Sequence, residues 1–261
     1  MSQTGKYLYA VIRAPARESL TTGYGLRGQP LELIEHRGLV AIASGVDLEE
    51  FGEAGLRHNL EDLSWLEEVA RVHHQVVQFV FTATPAAPLR LATICLDTDA
   101  VRARLDELHD EIDAVLERIS GSAEWGVKIY LRIPTSAASS VRQPSAPPAE
   151  QAGRAGAAYL QRKRSEANQR RVGEEFAVEA ARSVHTELSK VAVASRLLRL
   201  QDPKLSGHPG KLVLNAAYLV RSDREQEFVT RSEEVLAGQD QYEVVRFGPW
   251  PPYSFAGLDD A

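Results

Sequence analysis

Apolar positions along this chain recur with two different periods, and the places where the period changes predict its elements. Lys6–Arg13 (KYLYAVIR) is dense in aromatic and β-branched residues and predicts a strand. Two short apolar runs, Leu31–Ile34 and Leu39–Ala43, flank the turn-like His36-Arg37-Gly38 and predict a hairpin. Asn59 is expected to cap a helix with Asp62 in its first turn, because Leu63, Leu66, Ala70, His73, Val77 and Val80 follow at steps of three and four. That helix is expected to end before Pro85, and Leu89–Leu96 (LRLATICL) reads as a buried strand. Capped by Asp97 or Thr98, a second helix carries Val101, Leu105, Leu108, Ile112, Leu116 and Ile119 on one face and closes at Gly121. Val127–Ile133 is a further strand, ended by Pro134 because proline offers no N–H to a ladder.

Residues 134–153 (PTSAASSVRQPSAPPAEQAG) lack any hydrophobic period and are rich in Pro, Ala and Ser, so they mark a linker between two domains. Beyond it a helical pattern runs from about Ala155 to Leu200, through Val172, Phe176, Ala180, Val184, Leu188, Val191, Ser195 and Leu198. If unbroken it would be about 65 Å long, so a bend at Gly173 or partial exposure is expected. Leu212–Val220 predicts a strand, Arg224–Leu236 a short amphipathic helix, and Tyr242–Phe247 a final strand before the turn residues Gly248-Pro249. From Val127 onward this order lacks one strand of a ferredoxin-like βαββαβ unit. The missing strand is expected near residues 202–210, or the fold is a modified version. The fold class that results is α+β in two domains: 1–133, the linker 134–153, and 154–261, which is able to borrow strand 127–133.

Composition narrows the chemistry. With 261 residues, 44% hydrophobic and 25% charged, the chain sustains a core without disulfides or metal. The one cysteine, Cys95, lies in an apolar run without basic neighbours and reads as a buried, inert thiol. No apolar stretch reaches the ~20 residues that span a bilayer, and Met1–Tyr7 is too short in apolar residues for a signal peptide. A cytoplasmic location is therefore expected, with no lipid membrane as partner. The net charge of −6 argues against nucleic acid, yet it is uneven: residues 1–133 carry 13 Lys or Arg against 20 Asp or Glu (−7), and residues 134–261 carry 17 against 16 (+1).

The motifs that resemble enzyme sites fail on context. Gly23-Tyr-Gly-Leu-Arg-Gly28 matches GxGxxG, but a strand and Pro30 follow it where a dinucleotide site needs a helix. Gly210-Lys211 has Leu205 and Leu212 where a phosphate loop needs Gly and Ser or Thr. His73 and His74 are adjacent and point about 100° apart on a helix, so they cannot share a metal ion. The carboxylates Asp106, Glu107, Asp110, Glu111 and Asp113 lie along a solvated helix face. No catalytic, cofactor or metal residues are assigned. Two features remain open between a bland and a functional reading. The basic cluster Arg162, Lys163, Arg164, Arg170 and Arg171 is either a solvated helix face or a docking surface for an acidic partner. The closing segment with Trp250, Tyr253 and Phe255 either packs back on the protein or binds a partner.

Several segments, in order, resemble the gas vesicle protein F/L family: Tyr7-Leu-Tyr-Ala-Val11, Asn59-Leu-Glu-Asp-Leu63, Trp65-Leu66-Glu67, Ala70-Arg71-Val72-His73, Pro88-Leu-Arg90, Glu124-Trp-Gly-Val-Lys128, Gly156-Ala-Ala-Tyr-Leu160, Leu214-Asn-Ala-Ala-Tyr-Leu-Val220 and Gly248-Pro-Trp-Pro-Pro-Tyr-Ser-Phe255. The last two are the most specific. His74 stands where the family typically has Glu. The resemblance implies a non-enzymatic accessory protein of gas vesicle formation. Its implied partners are the very hydrophobic shell protein, gas vesicle protein A, and other minor gas vesicle proteins. The expected receiving surface combines Arg90 and the ends of strand Leu89–Leu96 with Trp250, Tyr253 and Phe255, assisted by the basic stretch that includes Arg162 and Arg170. The alternatives are a minor component of the vesicle wall, or a small-molecule regulator with a defined pocket.

Overall fold

A bulge in the first strand organises the first sheet. In the computed structural model, which describes residues 3–20, 23–132, 152–200 and 207–257, β1 (Thr4–Arg13) pairs antiparallel with β3 (Leu39–Asp47). The register steps from Leu8 opposite Ala43 to Ala10 opposite Ile42, which leaves Tyr9 without a partner. Side chains of a strand alternate between faces, and one extra residue reverses the alternation. Tyr7 and Tyr9 before the step, and Ala10 and Ile12 after it, consequently enter one core cluster with Val40, Ile42 and Val46 of β3. β2 (Leu31–His36) forms the expected hairpin with β3, through a turn in which Arg37 and Gly38 both take positive φ, 47° and 82°. The sheet order is β2-β3-β1-β4, where β4 is Ala87–Pro88, and β5 (Ile94–Cys95) also pairs with β1.

Two short helices, α1 (Leu48–Phe51) and α2 (Glu53–Asn59), precede the long α3 (Leu63–Ala83). Asn59 therefore ends a helix and does not cap one; its Nδ2 donates to the Glu50 carbonyl at 3.1 Å. The cap of α3 is Asp62, whose Oδ1 accepts from Ser64 N at 2.9 Å and Trp65 N at 3.3 Å. Leu63 is 78% exposed, and the buried stripe starts later, at Val69, His73, Val76, Val77 and Val80. Of the strand expected over Leu89–Leu96 only Ile94–Cys95 (β5) forms; β4 lies just before that range, and a turn in which Ala92 takes φ 60° separates the two. The turn wins because Tyr7 Oη accepts from Ala92 N at 3.0 Å, a bond a continuous strand could not make. The second predicted helix is two, α4 (Thr98–Glu107) and α5 (His109–Ile119), broken at Leu108 and capped by Asp97. Both contact the sheet of β1–β3.

The remaining elements are β6 (Ser122–Leu131), α6 (Ala152–Ser189), β7 (Ala194–Leu197), β8 (Lys211–Arg221), α7 (Glu225–Glu234) and β9 (Tyr242–Trp250), with sheet order β7-β8-β6-β9. The helix expected to reach Leu200 stops at Ser189. Leu198, assigned by its spacing to the helical stripe, instead follows β7 and donates its N–H to the Asn215 carbonyl at 2.8 Å. β7 does supply a strand between α6 and β8, but at Ala194–Leu197 and not near 202–210, the place expected, of which 202–206 lie outside the described residues. α6 is one helix of about 57 Å, with Ala177, Ala181, Val184 and Leu188 buried in its C-terminal half. β9 runs through Gly248-Pro249 to Trp250, past the turn expected there.

By internal contacts the chain divides into a first unit, Met1–Trp125 with Leu219–Arg224 and Phe247–Ala261, and a second, Gly126–Tyr218 with Glu225–Arg246. The division falls within β6, and the expected linker 134–153 lies outside the described residues up to Gln151.

Tyr9 Oη accepts from Leu26 N at 2.8 Å and lies 2.8 Å from Ser44 Oγ, all of it buried. Tyr9→Phe is expected to strand the Leu26 amide and to lower unfolding free energy by about 1–3 kcal/mol in urea titration. A loss of only a few tenths would mean that the hydroxyl is dispensable.

Candidate functional site: an aromatic tail and an apolar groove

Gly25 explains the glycine-rich motif. A Cβ there would overlap the Tyr9 hydroxyl and stand 2.8 Å from Ser44 Oγ, so this glycine makes room for a buried tyrosine and not for a phosphate. The histidine pair divides as its helix spacing requires. His73 is 3% exposed, with its Nδ1 3.0 Å from Tyr7 Oη. Tyr7 Oη also accepts from Ala92 N–H, so one buried phenol joins α3 to the turn at Ala92. Burial pushes His73 down to about 4, against a smaller opposing pull from the Leu89 backbone.

His74 faces the closing segment of the chain. Its ring lies 4.9 Å from Trp250 and 5.9 Å from Tyr253, and its Nδ1 is 3.2 Å from Tyr253 Oη. Burial lowers its pKa as well. Glu124 fastens the same segment, accepting from Ser254 N at 2.7 Å and Ser254 Oγ at 2.6 Å, and Arg118 donates to the Phe255 carbonyl. Phe255 is only 6% exposed, so it cannot face a partner as expected; it holds the tail down. Trp250 and Tyr253 remain 40% and 36% exposed. Arg90 is exposed at the start of the turn that Tyr7 holds, where its carbonyl accepts from Thr93 Oγ1 at 2.8 Å. Trp250, Tyr253 and Phe255 are thus brought together within the first unit.

The side chains of Arg162 and Arg170 lie outside the described residues, while Lys163, Arg164 and Arg171 are exposed on α6. The stripe expected along this helix holds at Val184 and Leu188 and fails before them: Phe176 is 69% exposed, and its neighbour Ala177 is buried. What the spacing missed is an apolar groove in the second unit. Val178 and Ala181 of α6 face Leu197, Leu198, Leu200 and Val213 across adjoining depressions of about 190 and 550 Å³. The available signal was the run Val191–Leu200, whose apolar residues also suit a strand. Arg171, Glu175, Glu179 and Arg182 line its side on α6, with Arg171 3.0 Å from Glu175 and Arg182 3.9 Å from Glu179. Among the described residues no group of three or more His, Cys, Asp or Glu is placed to hold a metal ion, and no helix is long and apolar enough to cross a membrane.

The family model of the gas vesicle synthesis protein GvpL/GvpF matches residues 5–257. The chain belongs to the GvpL/GvpF family. Within that family it is 44% identical over 257 residues to gas vesicle protein L of Streptomyces sp. (strain CB03234), covering 97% of this chain and 93% of that protein. Its fold is similar to the crystal structure of GvpF from Anabaena sp. PCC7120, with TM-score 0.64, 18% identity and 98% of both chains covered. GvpF from Microcystis aeruginosa matches with TM-score 0.63 and 18% identity, over 97% of this chain and 99% of that one.

Two outcomes follow for the first unit. Phe255→Ala is expected to cost about 3 kcal/mol of stability and Trp250→Ala clearly less, measured by denaturant unfolding, because one side chain is buried and the other only half covered. Equal losses would contradict the anchoring role. His73, ordinarily near 6.5 and held at about 4, binds its proton in the unfolded chain first. The contribution of His73 to stability is therefore expected to fall by up to about 3 kcal/mol as pH drops from 6.5 towards 4 and to level off below, a difference read by comparing the natural chain with His73→Gln.

Proposed function

We propose that this protein is an accessory factor of gas vesicle assembly that binds the apolar shell protein, gas vesicle protein A, and keeps it from aggregating before or during vesicle nucleation. Membership of the gas vesicle synthesis family supports the setting. The observation that carries the holding role is the grouping of exposed apolar side chains around one groove in the second unit: Val178 at 46%, Leu197 at 62%, Leu198 at 37% and Leu200 at 57%. Contiguous apolar surface of this kind marks a partner site, and shell protein left without cover would associate through its own. In the first unit we assign the exposed parts of Trp250 and Tyr253, with Arg90, to the same task, and on α6 the basic stretch with Arg162 and Arg170 to an acidic feature of a partner. We read β6-α6-β7-β8-α7-β9 as a ferredoxin-like domain, residues 1–133 as the N-terminal α+β domain, and the role as non-enzymatic and cytoplasmic at the gas vesicle.

Co-expression with the shell protein, followed by pull-down and light scattering, tests this. A soluble complex with suppressed scattering, and a substoichiometric amount of the factor in washed vesicles, is expected. Absence of a complex together with stoichiometric retention in washed vesicles would replace the holding role by that of a minor wall component.

A further inference from the structure

Edge strands carry a row of backbone N–H and C=O groups that can pair with another chain, and folded proteins commonly protect them with charge, proline or a covering segment. β7 lies at the end of the order β7-β8-β6-β9, so among the described residues it is hydrogen-bonded to β8 alone. Its sequence, Ala-Ser-Arg-Leu, holds one charged residue, Arg196, and no proline. Leu197 at its end is 62% exposed, and so are apolar residues on either side, Val193 at 51%, Leu198 at 37% and Leu200 at 57%. The groove lined by Val178, Ala181 and Val213 adjoins this edge. A backbone edge unpaired among the described residues and an apolar floor thus lie side by side in one unit.

We infer that the outer edge of β7 receives an extended apolar segment of a partner, which adds to the sheet as a further strand and lays alternate side chains into the groove. The inference rests on the holding role proposed above and specifies how the partner is gripped. An extended occupant is favoured over a helical one because only a strand uses both features. Its main chain satisfies the edge while every second side chain meets the groove, whereas a helix has no free backbone groups to give a sheet edge. Charge specifies the flanks of the segment. The acids at the groove, Glu175 and Glu179, are matched by Arg171 and Arg182 on the same helix. Arg196 and Arg199 are exposed and make no ion pair among the described residues, so the segment is expected to carry acidic residues beside its apolar run.

The probe is a fluorescein-labelled decapeptide of alternating Val and Thr with Glu at both ends, titrated by anisotropy against the full chain. A matched peptide N-methylated at every Val and Thr keeps the side chains and loses the N–H donors. The first is expected to bind and to slow amide exchange at Ala194–Leu197 at least tenfold, and the methylated peptide is expected not to bind. The double variant Leu197→Glu/Leu200→Glu should bind at least tenfold more weakly, and because both side chains are exposed it retains the fold. Failure of the decapeptide to bind, equal binding of the methylated peptide, unchanged exchange at β7 or unchanged binding by the double variant would each overturn the inference. So would concentration-dependent protection of β7 in the protein alone, which would mean that two copies pair through this edge. Shell-protein capture separates the two levels. If the double variant captures shell protein as well as the natural chain, the edge site falls and the holding role stands. If the natural chain captures none, the holding role falls, and the edge inference with it.

Discussion

The first unit depends on a single residue displaced from its ladder. With Tyr9 bulged out of the pairing between β1 and β3, four residues of β1 reach one side of the sheet, where α3 packs. In a regular strand Tyr7 and Tyr9 would share their face with Val11, and Ala10 and Ile12 would point away. The hydroxyls gained by the core are then partnered: Tyr9 by Leu26 N and Ser44, Tyr7 by Ala92 N and His73. Each of these bonds also fixes something outside the sheet. One holds the glycine-rich loop, the other the turn after Pro88. A buried hydroxyl costs stability unless it is bonded, so the two loops and the bulge stabilise each other or none of them persists.

The tail is held by the same economy of buried polar groups. Its closing aromatics are large enough to make exposure costly, and α3 presents His74 one residue beyond the histidine that Tyr7 binds. The segment settles with Phe255 inside, Ser254 on Glu124, and Trp250 and Tyr253 half covered. The adjacent histidines thereby have separate roles, one internal and one at the surface.

The second unit shows the opposite tendency, since it leaves apolar area uncovered around β7 and the C-terminal half of α6. Under the holding role proposed above, this surface stays open while the protein stays dissolved. The net charge of −6 opposes self-association without covering the groove.

The sequence by itself determined the elements whose signals are local. The hairpin at Arg37-Gly38 follows from residues that tolerate positive φ, the Asp97 cap from a side chain three residues from the amide it binds, and family membership from motifs spread along the chain. Other features were decided by partners distant in sequence. Spacing alone made Ser195 and Leu198 part of a helix, and pairing with β8 put Ser195 in a strand and Leu198 on the Asn215 carbonyl, because sheet bonds come from the neighbour and leave no mark in the period. Phe176 and Ala177 are consecutive, and only the packing of α6 determined which is buried. For Trp250, Tyr253 and Phe255 composition identified aromatic surface, but the share each keeps exposed was set by His74, Glu124 and Arg118, at least 130 residues away in sequence. Local geometry is a property of neighbouring residues and can be inferred from them; burial is a property of pairs, and here most of the pairs are distant.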